Sequence, residues 1–203
     1  MKTVPAGFSA VNTIKKNPMV STRNKLVLWT GEKHSGKTTS AAKLVETARG
    51  EGFNVAGLLA PSLYRDGELF GFDAVDLQNE TRAPLAKCST EAGKTGRFVF
   101  LPEGLKLGNS ALSTTSSKSA DLVIVDEFGP LELDGGLWRE NVDSLLASSG
   151  ALILLVVRRE LTGAVRRVYN DFSCRNLAAI EPESIDKVIG MLRDCRKSKR
   201  ETT

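Results

Sequence analysis

Two stretches of the chain carry side chains that can do chemistry together. The first is Gly31-Glu32-Lys33-His34-Ser35-Gly36-Lys37-Thr38-Thr39, which fits the pattern G-x-x-x-x-G-K-[ST]. Gly31 and Gly36 free the backbone to curl and to come close to an anion. The N–H groups from Gly31 through Glu32, Lys33, His34, Ser35, Gly36, Lys37, Thr38 and Thr39 then point partial positive charge at phosphate oxygens. Lys37 has the reach for the β- and γ-phosphates, and the Thr38 hydroxyl is a ligand for Mg²⁺. The second stretch is Asp126-Glu127, two adjacent carboxylates after the apolar run Leu122-Val123-Ile124-Val125. Asp126 is placed to hold the metal. Glu127, one residue on, is placed to orient or deprotonate a water aimed at the γ-phosphate.

Neither signal is equally specific alone. At average composition the glycine pattern arises by chance in roughly one chain of this length in a hundred, whereas an apolar run ending in Asp is common. The pair together is the strong observation. His34 is the chain's single histidine, but the x positions of such a loop face phosphates already bound. A general base must instead reach the attacking water, so His34 is not assigned that role.

The surrounding elements must deliver these groups to one place. Leu26-Val27-Leu28-Trp29 reads as a buried strand leading into the loop, and Ala41, Leu44, Val45 and Ala48 recur at helical spacing after it. Residues 53–60 read as a strand. Asp66-Gly67 between two β-rich runs signals a hairpin, with Phe70, Phe72 and Ala74 on one buried face. Residues 78–88 read as polar and turning at Pro84, with Arg82 a surface residue or one facing a nucleotide. Residues 97–101 read as a short strand and 105–119 as a weak helix, because Ser and Thr compete for backbone hydrogen bonds. Residues 122–125 and 151–157 are continuous apolar runs, expected of strands buried on both faces of a parallel sheet. Ligands bind at the carboxyl edge of such sheets. Arg158 and Arg159 lie there, able to sense a γ-phosphate or to form surface ion pairs. Helices are expected over 137–148, 161–169 and from Pro182 to about Cys195, with a short strand over 173–178.

Composition bounds the rest. At 203 residues, 41% hydrophobic and 26% charged, the chain suits one globular α/β domain. We expect residues 1–24 to be an N-terminal extension, 25–195 the domain and 196–203 a basic tail. No apolar run approaches a membrane span, and the N-terminus lacks an export signal's apolar core. Cys88, Cys174 and Cys195 match no metal or disulfide spacing, which suits a reducing cytoplasm. The net charge of +4 is modest and partly terminal, with Arg193, Arg196, Lys197, Lys199 and Arg200 crowded there without interleaved aromatics. That reads as a solvated helix end and argues against nucleic acid as a partner.

Farther along, VDEFGPLEL resembles the signature of the thermophile-type nucleoside-triphosphatase family. GLLAPSLYRDGELFGFDAVDL followed by TRAPLA, and RFVF before the Ser-rich segment, are similar to the same family. The resemblance covers roughly residues 25–195. It implies a P-loop domain of RecA-like, three-layer type, with a largely parallel central sheet plus an antiparallel hairpin. It also implies slow, Mg²⁺-dependent hydrolysis of ATP, GTP and other nucleoside triphosphates with loose base choice. On that resemblance Gly31, Gly36, Lys37, Thr38 and Thr39 bind phosphates and Mg²⁺, Asp126 is the metal-side acid and Glu127 the catalytic acid. The loop lacks the proline or further glycine usual in the family, Phe128 stands where isoleucine is frequent, and the N-terminal extension is longer. Two rival functions share these motifs. A small-molecule phosphotransferase needs an arginine-bearing lid. A nucleotide-switched accessory protein, with hydrolysis as a timer, needs a partner surface, for which the extension leaves room.

Overall fold

The computed structural model describes residues 26–88, 98–170 and 172–201; the expected N-terminal extension lies outside them. In chain order the elements are β1 (Leu26–Gly31), α1 (Lys37–Gly50), β2 (Val55–Leu59), β3 (Ser62–Arg65), β4 (Glu68–Asp76), β5 (Arg82–Cys88), β6 (Phe98–Phe100) and α2 (Pro102–Ala111). There follow β7 (Leu122–Asp126), α3 (Pro130–Leu133), α4 (Arg139–Ser148), β8 (Leu152–Arg158), α5 (Thr162–Val168), β9 (Cys174–Ala178) and α6 (Pro182–Glu201).

The strands form one mixed sheet in the order β6-β5-β4-β2-β7-β8-β1-β9, with β3 paired to the outer half of β4. From β2 to β9 every pairing is parallel. Beyond β2 the sheet continues antiparallel through β4, β5 and β6. Parallel strands buried on both faces need apolar side chains of both parities, and that is how the core divides. Leu26, Leu28, Val123, Val125, Ile153 and Leu155 face the layer holding Val142 and Leu145 of α4 and Val165 of α5. Val27, Trp29, Ile124, Leu154 and Val156 face Ala41, Leu44 and Val45 of α1 and Val188 and Leu192 of α6. Each such side chain contributes about 1.5–3 kcal/mol on burial. The sheet between two helical layers is therefore fixed by the runs that end at the two chemical stretches.

Several elements differ from the sequence reading. Residues 82–88 form strand β5, not a turn; Pro84 is accommodated opposite Asp73, where the β4–β5 register shifts. Arg82 lies on that antiparallel side of the sheet, its Nε 3.5 Å from Asp73 Oδ2. Phe70 is not buried with Phe72 and Ala74: it is 36% exposed and is covered by the Arg65 guanidinium, 4.4 Å from its ring centroid. The weak helix ends at Ala111, and the serines after it form turns. α6 runs past Cys195 to Glu201, because its arginines bind the body. Arg193 pairs with Glu51 at 2.7 Å, and Arg196 pairs with Asp121 at 3.0 Å while lying over the Phe53 ring at 4.0 Å.

Candidate active site

β1 ends at Gly31 and α1 begins at Lys37, so the intervening residues must reverse the chain in very little length. Gly36 does this at φ 82°, and His34 also takes a left-handed conformation at φ 60°. Gly31 is crowded for a different reason: a Cβ there would lie 2.6 Å from Ser35 Oγ and 3.1 Å from Lys37 Cγ, so both side chains would have to shift. The loop thus closes on itself around the backbone. No side chain caps the N-terminus of α1 and no acid sits in its first turn, which leaves the helix amides and dipole open to an anion. Ser35 Oγ is buried without a hydrogen-bond partner. An orphaned hydroxyl, uncapped amides and a lysine in one concave loop are the donor set a polyphosphate requires.

The Lys37 side chain is buried, and its Nζ donates to the Glu32 carbonyl at 2.7 Å. It stays inside the loop instead of extending into solvent. Glu32 is further tied by Arg159, whose Nε is 3.1 Å from Glu32 Oε1. His34 lies exposed on the outer bend.

The acids arrive from the other side of β8. β7 pairs with β8 with Asp126 opposite Val156, and β8 pairs with β1 with Arg158 opposite Gly31. Asp126 is 2% exposed. It accepts from the Ala60 amide at 3.1 Å, and the Thr38 hydroxyl and Lys37 lie close enough to favour its charged form. Burial still outweighs these partners and pushes the Asp126 carboxyl up to about 6. The structure therefore brings Lys37, Thr38 and Asp126 together, as their positions in the sequence suggested. Thr38 and Asp126 supply hard oxygen ligands facing one another. That suits Mg²⁺, which takes one or two protein oxygens and completes its shell with phosphate and water.

Glu127 is about one third exposed, and Arg158 Nε lies 2.8 Å from its Oε1. That contact is a charge pairing without hydrogen-bond alignment, since Glu127 Oε1 is itself shielded and accepts no hydrogen bond. With Oε1 turned against the Arg158 cation, the exposed remainder of the carboxylate is what can take a proton from water. Phe128 is fully buried and packs at 5.8 Å from the Tyr169 ring, so the bulkier residue after Asp-Glu is accommodated by the core.

Glu132 was not singled out from sequence, yet it belongs to this acidic segment. It is 3% exposed and accepts from the Gly129 amide at 2.8 Å, closing the N-terminus of α3. Burial, and to a lesser degree the nearby Glu127 charge, raises its carboxyl to about 6. The available signal was an acid three residues after Gly129, with Pro130 at the first helical position.

Among the described residues, hollows of about 300 and 470 Å³ lie away from this loop, one at the amino edge of the parallel strands, beside Phe53, Asn54 and Ala120, and another beside Asp76 and Glu103.

A family model described as NTPase matches residues 26–189. The chain is 32% identical over 167 residues to nucleoside-triphosphatase THEP1 of Methanothermobacter thermautotrophicus, covering 80% of this chain and 90% of that one. It is also 32% identical over 161 residues to the protein of that name from Archaeoglobus fulgidus, covering 76% and 94%. Among solved structures it superimposes on a human cancer-related nucleoside triphosphatase with TM-score 0.62 at 25% identity, covering 86% of this chain and 98% of that one.

Proposed function

The chain belongs to the NTPase family that it matches over residues 26–189, and from that premise we propose that it hydrolyses nucleoside triphosphates with Mg²⁺, slowly and with loose base choice. The observation that carries this reading is the buried Asp126 at the end of β7, with the Thr38 hydroxyl and Lys37 at the start of α1 both close enough to favour its charged form. It joins a phosphate cradle and a metal-side acid in one site.

The loop amides and the uncapped start of α1 hold the β- and γ-phosphates in place, and Lys37 adds a full positive charge to the same cradle. Thr38 and Asp126 would hold Mg²⁺, which would supply charge neutralisation to the bound polyphosphate. Glu127 accepts a hydrogen bond from the attacking water and takes its proton as the new O–P bond forms at the γ-phosphorus and the bond to the β–γ bridging oxygen breaks, releasing nucleoside diphosphate and phosphate. Arg158 keeps the Glu127 carboxylate at the strand edge and brings a second cation near the developing charge. Catalysis of this kind rests on positioning and electrostatics. Slow turnover follows from Arg158 sharing its charge with Glu127, which weakens what it offers the γ-phosphate. We place the reaction in the cytoplasm, as a cysteine spacing that matches no disulfide framework suggests; among the described residues no helix is long and apolar enough to cross a membrane.

The test is phosphate release from ATP, GTP, CTP and UTP by the purified chain, with Mg²⁺ and with excess EDTA. The reading expects activity on all four, abolished by EDTA and by Lys37→Ala, the latter through loss of nucleotide binding. Activity indifferent to both would refute it. Transfer of the phosphate to a small acceptor, read by mass spectrometry, would favour the phosphotransferase instead.

A further inference from the structure

The order of strands gives the bound polyphosphate a direction. Asp126, Glu127 and Arg158 stand at the ends of β7 and β8, which lie on one side of β1. The γ-phosphate must face Glu127 to be attacked, so the chain of phosphates runs across the β1–α1 loop and leaves on the opposite side. That side is β9.

The end of β9 is fastened to the cradle. The Ala179 amide donates to the Thr30 carbonyl at 2.7 Å, and Thr30 Oγ1 donates to the Leu177 carbonyl at 3.2 Å. From the first turns of α1, the Ser40 hydroxyl donates to the Ala179 carbonyl. These three contacts leave the next residue, Ile180, fixed beside the loop with 60% of its surface exposed. An aliphatic side chain in that position has no role in the core, since its neighbours Leu177 and Ala179 are the ones buried.

We infer that Ile180 is the platform against which the nucleobase packs, the base being recognised by apolar contact with its face. This rests on the reading of the cradle as a nucleoside-triphosphate site. Every base has an apolar face, so such a contact adds affinity without choosing among bases by their donors and acceptors. It supplies a physical origin for loose base choice, and it separates the part of the site that grips the base from the part that performs the chemistry.

The experiment compares wild type, Ile180→Ala and Ile180→Leu in steady-state phosphate release from ATP, GTP, CTP and UTP, with inorganic tripolyphosphate as a competitor lacking a base. Ile180→Ala is expected to raise KM for all four nucleotides, roughly fivefold from the apolar area lost, with kcat changed far less. Ile180→Leu should restore most of the loss, and the tripolyphosphate inhibition constant should be the same in all three proteins. KM values unmoved by Ile180→Ala would overturn the inference while leaving the triphosphatase reading intact. So would an effect confined to one base, which would mean directional reading of its edge. Failure of tripolyphosphate to compete in wild type would instead strike the cradle itself, and with it the premise.

Discussion

Replacing Glu132 by glutamine isolates the cost of burying an acid next to Glu127. In the folded chain the Glu132 carboxyl is raised from 4.5 to about 6, so between those values the native state holds a proton that the unfolded state has released. Stability from this group is complete below pH 4.5 and is lost as pH rises through about 6. The difference corresponds to about 2 kcal/mol. Glutamine is neutral throughout, and its carbonyl oxygen can still accept the Gly129 amide, so the capping contact survives. Urea unfolding of both proteins from pH 4.5 to 7.5 is the assay. The stability of Glu132→Gln relative to wild type should improve by most of that 2 kcal/mol across the range. The Asp126 carboxyl, also raised by burial, is common to both chains and cancels in the difference. Parallel profiles, or a variant that loses ground as pH rises, would refute the reasoning.

Two further outcomes follow from the same geometry. Gly57 adopts φ 110°, and a Cβ there would lie 2.1 Å from the Ile124 carbonyl oxygen of the neighbouring strand; Gly57→Ala should cost about 3 kcal/mol or more in urea unfolding. Arg158→Gln removes the cation 2.8 Å from Glu127; steady-state kinetics should show kcat lower by about a hundredfold with KM for nucleotide changed far less.

The parts of the fold that were legible in sequence were those where one physical demand dominates. Residues 26–29, 122–125 and 151–157 are apolar on both parities, which only a doubly covered strand satisfies, and Asp66-Gly67 can supply the positive φ values of a tight hairpin, observed at 52° and 82°. β5 was illegible because Pro84 and its polar flanks signal a turn. The strand tolerates proline through a shift of register beside Asp73 and through close packing of α2, where a Cβ on Gly104 would lie 2.4 Å from Leu85 Cα. Phe70 followed the alternation in type but not in burial, since Arg65 covers it from the solvent side. The reach of α6 depended on Glu51, Asp121 and Phe53, distant in sequence and invisible to periodicity. In the site, pattern located Lys37, Thr38, Asp126 and Glu127. The Ala60 amide on Asp126 and the Arg158–Glu127 pairing depend on strand order, which no local pattern specifies.

The central claim is that one cradle binds the triphosphate while Glu127 serves only the step in which water attacks. Its most direct measurement is the affinity of Glu127→Gln for a nucleoside triphosphate with Mg²⁺, taken beside its single-turnover rate of phosphate release. Affinity close to that of wild type, with the rate lower by about two to four orders of magnitude, is the predicted result. Hydrolysis at the wild-type rate, or binding lost together with hydrolysis, would contradict it.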